Sequence, residues 1–172
     1  RNFIKYMKMP DTVTEIQTQA FESCVNLKTV IGNGVELIGD EVFINCSSLN
    51  RVCLENTQSI GDKAFKNCST LQEINLPKVT NIGDYVFSGC ENLRKIDLSG
   101  IKKIDSENVF ANVSPAFVDL RNLESTKSLP NNSSVLFSSK LSEVECFPEN
   151  LTIYGTKGTY AEEYANENGY IF

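Results

Sequence analysis

The segment Ile82 to Leu98, IGDYVFSGCENLRKIDL, repeats Ile60 to Leu76, IGDKAFKNCSTLQEINL, which repeats Ile38 to Leu54, IGDEVFINCSSLNRVCL. A looser copy begins at Ile16. The leading isoleucines Ile16, Ile38, Ile60, Ile82 and Ile104 recur every 22 residues. A fixed period of about 20–29 residues is the mark of a solenoid, in which no repeat buries its own apolar face and each stacks on the next.

Four apolar ladders share that period, except that the copy from Ile104 gains one residue before Phe110. The first is the Ile row. The second is Phe21, Phe43, Phe65, Phe87 and Phe110. The third is Cys24, Cys46, Cys68 and Cys90, continued by Val113, and the fourth is Leu27, Leu49, Leu71 and Leu93. A residue type held at one phase of every repeat meets its counterparts in adjacent turns, so each ladder predicts a continuous core column. A further apolar slot precedes each Ile at Val13, Val35, Val79 and Ile101, with Thr57 as the exception.

After the Leu ladder comes Leu-x-x-Ile-x-Leu, as in Leu71-Ile74-Leu76 and Leu93-Ile96-Leu98. Its last two apolar residues are two apart and share one face of a strand. One such parallel strand per repeat predicts a long sheet. Asp40, Asp62 and Asp84 follow Ile-Gly, with Thr18 and Ser106 in the same slot of the outer copies. All are good N-cap residues, so a short helical turn is expected to carry each Phe inward. The alternative use of Gly-Asp, calcium ligation, offers too few oxygens per site for a calcium cage, and no metal site is expected.

The balance of charge is −6, with no basic stripe, which argues against a nucleic-acid partner. Histidine is absent, which removes His-based triads and most catalytic zinc sites. No run of about 18 apolar residues is present. The chain starts at Arg1 and enters the pattern at once: residues 3–10 read as the tail of an earlier repeat. It is therefore expected to be a piece of a longer chain, and a missing leader says nothing about location.

Stacked cysteines about 4.8 Å apart with parallel side chains do not suit disulfide geometry, so the column is expected to hold buried free thiols. Cys146 falls in a core slot. Cys53, between Val52 and Leu54, points outward and is the candidate accessible thiol. Asn-x-Ser/Thr sequons occur at Asn45, Asn67, Asn112, Asn131, Asn132 and Asn150, two of them on the Cys ladder.

From Arg121 to Lys140 the pattern decays, and Pro130 to Ser134 reads as a turn or loop. The strand signal returns at Leu141-x-x-Val144-x-Cys146, and Leu151 to Tyr154 reads as a last short strand. Thr159-Tyr160-Ala161-Glu162 is a capping box that opens a helix with Ala161, Tyr164, Ala165 and Asn168 on one face and Gly169 as its stop. The expected organisation is a repeat array over 1–158, irregular at 121–140, and a C-terminal helical cap over 159–172.

The run Ile-Gly-Asp-x-x-Phe-x-x-Cys-x-x-Leu-x-x-Ile-x-Leu resembles the BspA-type leucine-rich repeat, and Lys157 to Ala165 resembles the segment that often closes such arrays. The resemblance covers nearly the whole chain and is weakest at 121–140. It departs from the general leucine-rich pattern where Val35, Val79 or Ile101 replaces the usual Asn or Cys after the strand. It implies an α/β solenoid of the leucine-rich repeat kind, with no catalysis and no cofactor. The implied setting is an extracellular or cell-surface protein of bacteria or some mucosal protists. The implied role is adhesion to a protein or glycan, host extracellular matrix among them. The family has no universal binding residues to carry over.

Phase alone places two outward rows on the long sheet, which is expected to line the concave, ligand-binding side. One row is Thr29, Arg51, Glu73, Lys95, Phe117 and Glu143. The other is Ile31, Cys53, Asn75, Asp97, Asp119 and Glu145. The candidate ligand-binding residues are Arg51, Glu73, Lys95, Phe117, Asn75, Asp97, Asp119 and Glu145. Two readings of the charges stay open: lateral neutralisation of a solvated sheet, or contact with a partner. Phe117 is either a contact anchor or a residue tucked under the irregular segment. The structural alternative is a spacer that presents another domain. The enzymatic alternative, a hydrolase using Asp97 and Asp119, lacks a pocket to raise one carboxyl pKa or exclude water.

Overall fold

The computed structural model describes residues 3–106, 108–113, 115–127, 129, 134–137, 143–144, 152–155, 157–168 and 171–172. Within these the chain is a parallel-strand solenoid carrying one helix and two rows of strands, called the main and the narrow sheet. The main sheet takes β1 (Tyr6–Lys8), β3 (Thr29–Ile31), β5 (Arg51–Cys53), β7 (Glu73–Asn75), β9 (Lys95–Asp97), β11 (Phe117–Leu120), β13 (Ser134–Phe137) and β15 (Thr152–Tyr154). The narrow sheet takes β2 (Glu15–Ile16), β4 (Leu37–Ile38), β6 (Ser59–Ile60), β8 (Asn81–Ile82), β10 (Lys103–Ile104), β12 (Ser125–Thr126) and β14 (Glu143–Val144). Each row is broken once, the main one between β5 and β7 and the narrow one between β8 and β10. All pairing is parallel, and the register follows the repeat: Glu73 meets Lys95, Ile74 meets Ile96, Asn75 meets Asp97.

The four apolar columns form the core. Phe43, Phe65 and Phe87 are fully buried, and their rings stack with centroids 5.3 Å and 6.1 Å apart. Such offset stacks add to the burial of each ring. The cysteine column is buried and its thiols are free, as its geometry predicts. These thiols are more than small apolar fillers. Cys46 donates its S–H to the Phe21 carbonyl at 3.1 Å, Cys68 to that of Phe43 at 3.2 Å, and Cys90 to that of Phe65 at 3.0 Å. Thr57, the misfit in the apolar slot, is buried because its hydroxyl donates to the Val35 carbonyl at 3.3 Å.

Three expectations about local structure change. First, the segment carrying each Phe is a run of i→i+3 turns and not a helix. Two residues per repeat take left-handed backbone: Gln19, Glu41, Lys63 and Tyr85 at one phase, and Ser23, Asn45, Asn67, Gly89 and Asn112 at the other. Left-handed residues break right-handed helical continuity. Second, the aspartates cap across repeats, not within their own turn. Asp62 N–H donates to Asp40 Oδ1 at 2.8 Å, Asp84 N–H to Asp62 Oδ1 at 2.8 Å, and Ser106 Oγ to Asp84 Oδ1. The preceding glycine is part of this device, since a Cβ on Gly61 would lie 2.3 Å from Asp40 Oδ1 and one on Gly83 2.4 Å from Asp62 Oδ1.

Third, the stretch where the pattern decays holds a main-sheet strand, which begins at Ser134, the last residue of the expected turn. Strand β13 continues the main sheet, Phe117 pairing with Ser134 and Asp119 with Leu136, and β15 follows it. Glu143 therefore lies on β14 in the narrow sheet, paired with Ser125, and not on the main sheet. Glu145, Cys146, Gly169 and the sequon residues Asn131, Asn132 and Asn150 lie outside the described residues, as do residues 130–133 of the turn expected over 130–134. The helix forms as α1 (Tyr160–Asn168), with Ala161 and Ala165 buried. Its capping carboxylate reaches one residue further back than a capping box does: Gly158 N–H donates to Glu162 Oε2 at 2.5 Å.

Candidate functional site on the main sheet

The outer face of the main sheet is set by the pleat. Val30, Val52, Ile74, Ile96 and Val118 point into the core, so their neighbours on either side point out. Arg51, Glu73, Asn75 and Lys95 are exposed as expected, while Thr29, Ile31, Cys53, Asp97 and Phe117 are half-buried. Glu73 pairs with Lys95 in register, and Arg51 holds the same repeat position on β5, the strand of the preceding turn. The ion pairs among the described residues are Lys63 with Glu41, Lys102 with Glu124, Lys103 with Asp105, and Arg121 with Asp119. None of them uses Arg51, Glu73 or Lys95. These three charges alternate in sign but are not consumed in neutralising one another.

The acidic row is not the continuous exposed patch that phase suggests. Asp119 is only 5% exposed, and Arg121 clasps both of its carboxylate oxygens. Its Oδ1 also accepts the Arg121 N–H at 3.2 Å, and Asp97 Oδ1 accepts the Ser99 N–H at 2.9 Å. Both aspartates thus close the turn after their own strand, which is a structural use of the residue. Asn75 donates to Glu55 Oε1 at 3.4 Å. The paired-carboxylate arrangement raised for a hydrolase is not presented to solvent, because one member is buried against a guanidinium.

A depression of about 610 Å³ opens on this face. Its walls are Arg51, Cys53, Glu73, Asn75, Lys95 and Asp97, and its floor is Val52 and Ile74. It sits at a seam that the sequence does not announce. The main-sheet ladder is interrupted between β5 and β7, which leaves a three-stranded and a five-stranded segment. Arg51 N–H donates to the Lys28 carbonyl at 3.1 Å and Lys95 N–H to the Gln72 carbonyl at 3.2 Å, but the equivalent bond from Glu73 to Asn50 is not formed. At the other end of the strand, Gly32 donates to Cys53 at 3.0 Å and Leu76 to Asp97 at 2.9 Å, while Leu54 makes no such bond to Asn75. The floor shows the effect: Val52 is 9% exposed, against 0% for Val30 and Ile96. The narrow sheet bridges the same step through β6 and β8.

This face, with its ladders and pitch, defines the class of protein. The BspA type leucine rich repeat region matches in six copies over residues 2–117 and 58–161, and the chain belongs to that family. Among solved structures, it is similar to a Treponema pallidum leucine rich repeat protein at 22% identity, covering 97% of this chain and 84% of that one, with a TM-score of 0.63. It is also similar to a leucine rich cell surface protein of Faecalibacterium prausnitzii at 23% identity, covering 88% of this chain and 47% of that one, with a TM-score of 0.61. A leucine-rich repeat protein of Bacteroides ovatus matches at 30% identity over 90% of this chain and 40% of that one, with a TM-score of 0.56. The chain thus spans less than half the length of the last two. No curated protein sequence matches it. No helix among the described residues is long and apolar enough to cross a membrane.

Proposed function

We propose that this chain is a non-catalytic binding module of a bacterial cell-surface protein, engaging a protein or glycan partner through the outer face of its main sheet. The observation that carries this reading is the set of exposed charges Arg51, Glu73 and Lys95, at one position of three successive repeats around the 610 Å³ depression, none of them in the ion pairs among the described residues. Charged groups held on a rigid sheet and left without partners favour complementary charges on another molecule and set its register. The surface setting draws on the family and on the naming of the Faecalibacterium neighbour as a cell surface protein.

The test is binding of the purified chain to a panel of matrix proteins and mucin glycans, beside the variant Arg51→Glu/Lys95→Glu. Both positions are exposed, so the variant is expected to keep the parent's circular dichroism spectrum. The expected result is binding to at least one panel member by the parent and a loss of tenfold or more in the variant. Equal binding by both would move the site off this face. Binding by neither would favour a spacer that presents another domain.

A further inference from the structure

We infer that the main sheet between β5 and β9 takes an α-helix of a partner protein, laid across the strands, with an acidic–basic–acidic order along its contact stripe. The inference rests on the binding reading above and narrows it to one occupant. Three observations carry it. Arg51, Glu73 and Lys95 stand at the same position of the repeat: Glu73 pairs with Lys95, about 4.8 Å away along the solenoid axis, and Arg51 stands on the other side of the open seam from Glu73. Their signs run cation, anion, cation, and the ion pairs among the described residues leave all three out. The strands they stand on are three residues long, and the face is indented at the seam between β5 and β7.

Spacing selects the helix. Steps of three or four residues along a helix advance about 4.5 or 6.0 Å and stay on one face, so a stripe at i, i+4, i+7 can set its shorter step against the paired Glu73 and Lys95 and its longer step across the seam to Arg51. An extended segment laid the same way presents same-side residues about 6.7 Å apart, nearly 2 Å more than the paired step from Glu73 to Lys95. An extended segment running along the strands would meet the charge of one strand and miss the other two. Width agrees as well: a three-residue strand is about 10 Å long, close to the diameter of a helix with its side chains. The residues beside the charged row grade from apolar to acidic, Ile31, Cys53, Asn75, Asp97. This gives the partner helix a direction, with an apolar residue over Cys53, toward Ile31 on β3, and a donor over Asp97.

The probes are two stapled helical peptides that carry Glu-Lys-Glu or Lys-Glu-Lys at i, i+4, i+7, with net charge equalised on the opposite face. A third probe is the Glu-Lys-Glu sequence made extended by proline substitution. Binding is read by fluorescence anisotropy at low salt against the parent and against Arg51→Glu/Glu73→Lys/Lys95→Glu, with circular dichroism to verify the fold. The expected result is that the parent prefers the Glu-Lys-Glu helix by tenfold or more over either other probe, and that the triple variant inverts the preference between the two helices. Equal affinity for both helices, no detectable binding of either, or equal binding of the extended probe overturns the inference. If the triple variant also loses a matrix or glycan partner found in the panel while the helices are not told apart, the face remains the binding site and only the helical occupant falls.

Discussion

Asp62 joins three successive turns through one side chain and one backbone group. Its N–H is bound by Asp40 and its carboxylate binds the N–H of Asp84, both at 2.8 Å. Asp62→Ala removes the acceptor and is expected to cost about 1 kcal/mol, the ordinary net worth of such a bond, while Asp62→Asn retains an acceptor oxygen and costs less. Urea denaturation followed by circular dichroism checks the order. Gly83→Ala is expected to be more damaging, because the new methyl would meet Asp62 Oδ1 at 2.4 Å and the Asp62 nitrogen at 2.7 Å. In a double-mutant cycle the two changes should couple, since losing the carboxylate relieves part of the clash, but rescue stays incomplete because the backbone nitrogen remains. The sequence shows the Gly-Asp pair and its period. It does not show that the pair acts between repeats, because a carboxylate at that phase can accept an N–H from its own turn or from the next. Asp119 is unreadable for the same kind of reason: phase puts it outward, and only the contact with Arg121 buries it.

The columns are the elements most legible in the sequence, since identical residues at a constant 22-residue offset admit one stacking register. Phe65 lies between Phe43 and Phe87 and is fully buried. Phe65→Ala is expected to destabilise by about 3–5 kcal/mol, the range for emptying an aromatic site in a close-packed core, and Phe65→Leu by clearly less. Denaturant midpoints at constant m check this. The cysteine column adds a pH dependence. Desolvation pushes the Cys46 thiol from its ordinary 9.0 up to about 12, and burial raises Cys68 well above the ordinary value too. The unfolded chain therefore releases these protons first. The Cys46 contribution to stability is fully present below about pH 9, falls as pH rises from there, and is lost by about pH 12, and that of Cys68 falls in the same direction. Melting temperature is expected to decline over that window more steeply in the parent than in Cys46→Ala. Cys53 stands apart on the outer face. In a Cys146→Ser background, a maleimide should label Cys53 in the native protein while Cys46, Cys68 and Cys90 react only on unfolding. Mass spectrometry of the peptides reads this directly. Strand β13 was hidden because its Val135 follows Val118 by 17 residues, so the period that exposes the other strands misplaces this one.

At the scale of the whole molecule, a solenoid is a chain of nearest-neighbour interfaces, and its stability is the sum of its repeats and of the steps between them. Those steps are not equal here. The main sheet loses its ladder between β5 and β7, while the narrow sheet and the Phe column carry the same step intact: β6 pairs with β8, and Phe43 stacks on Phe65. At this step the array is therefore continuous in its core and open on one face, a combination that lets the seam widen locally without unfolding; the narrow sheet is broken one step later, between β8 and β10. Amide hydrogen exchange can test this, because local opening and global unfolding leave different patterns. The Glu73 and Leu54 amides, whose counterparts are bonded at every other step named above, are expected to exchange at least tenfold faster than those of Lys95 and Leu76. The Phe65 amide, bonded to the Val86 carbonyl at 3.0 Å, should exchange only by global unfolding. If all five amides share one protection factor, the interruption does not operate in solution and the 610 Å³ depression is an ordinary undulation of a closed sheet. If Glu73 and Leu54 are fast and are slowed when a ligand binds the outer face, the seam is the place where the repeat array meets its partner.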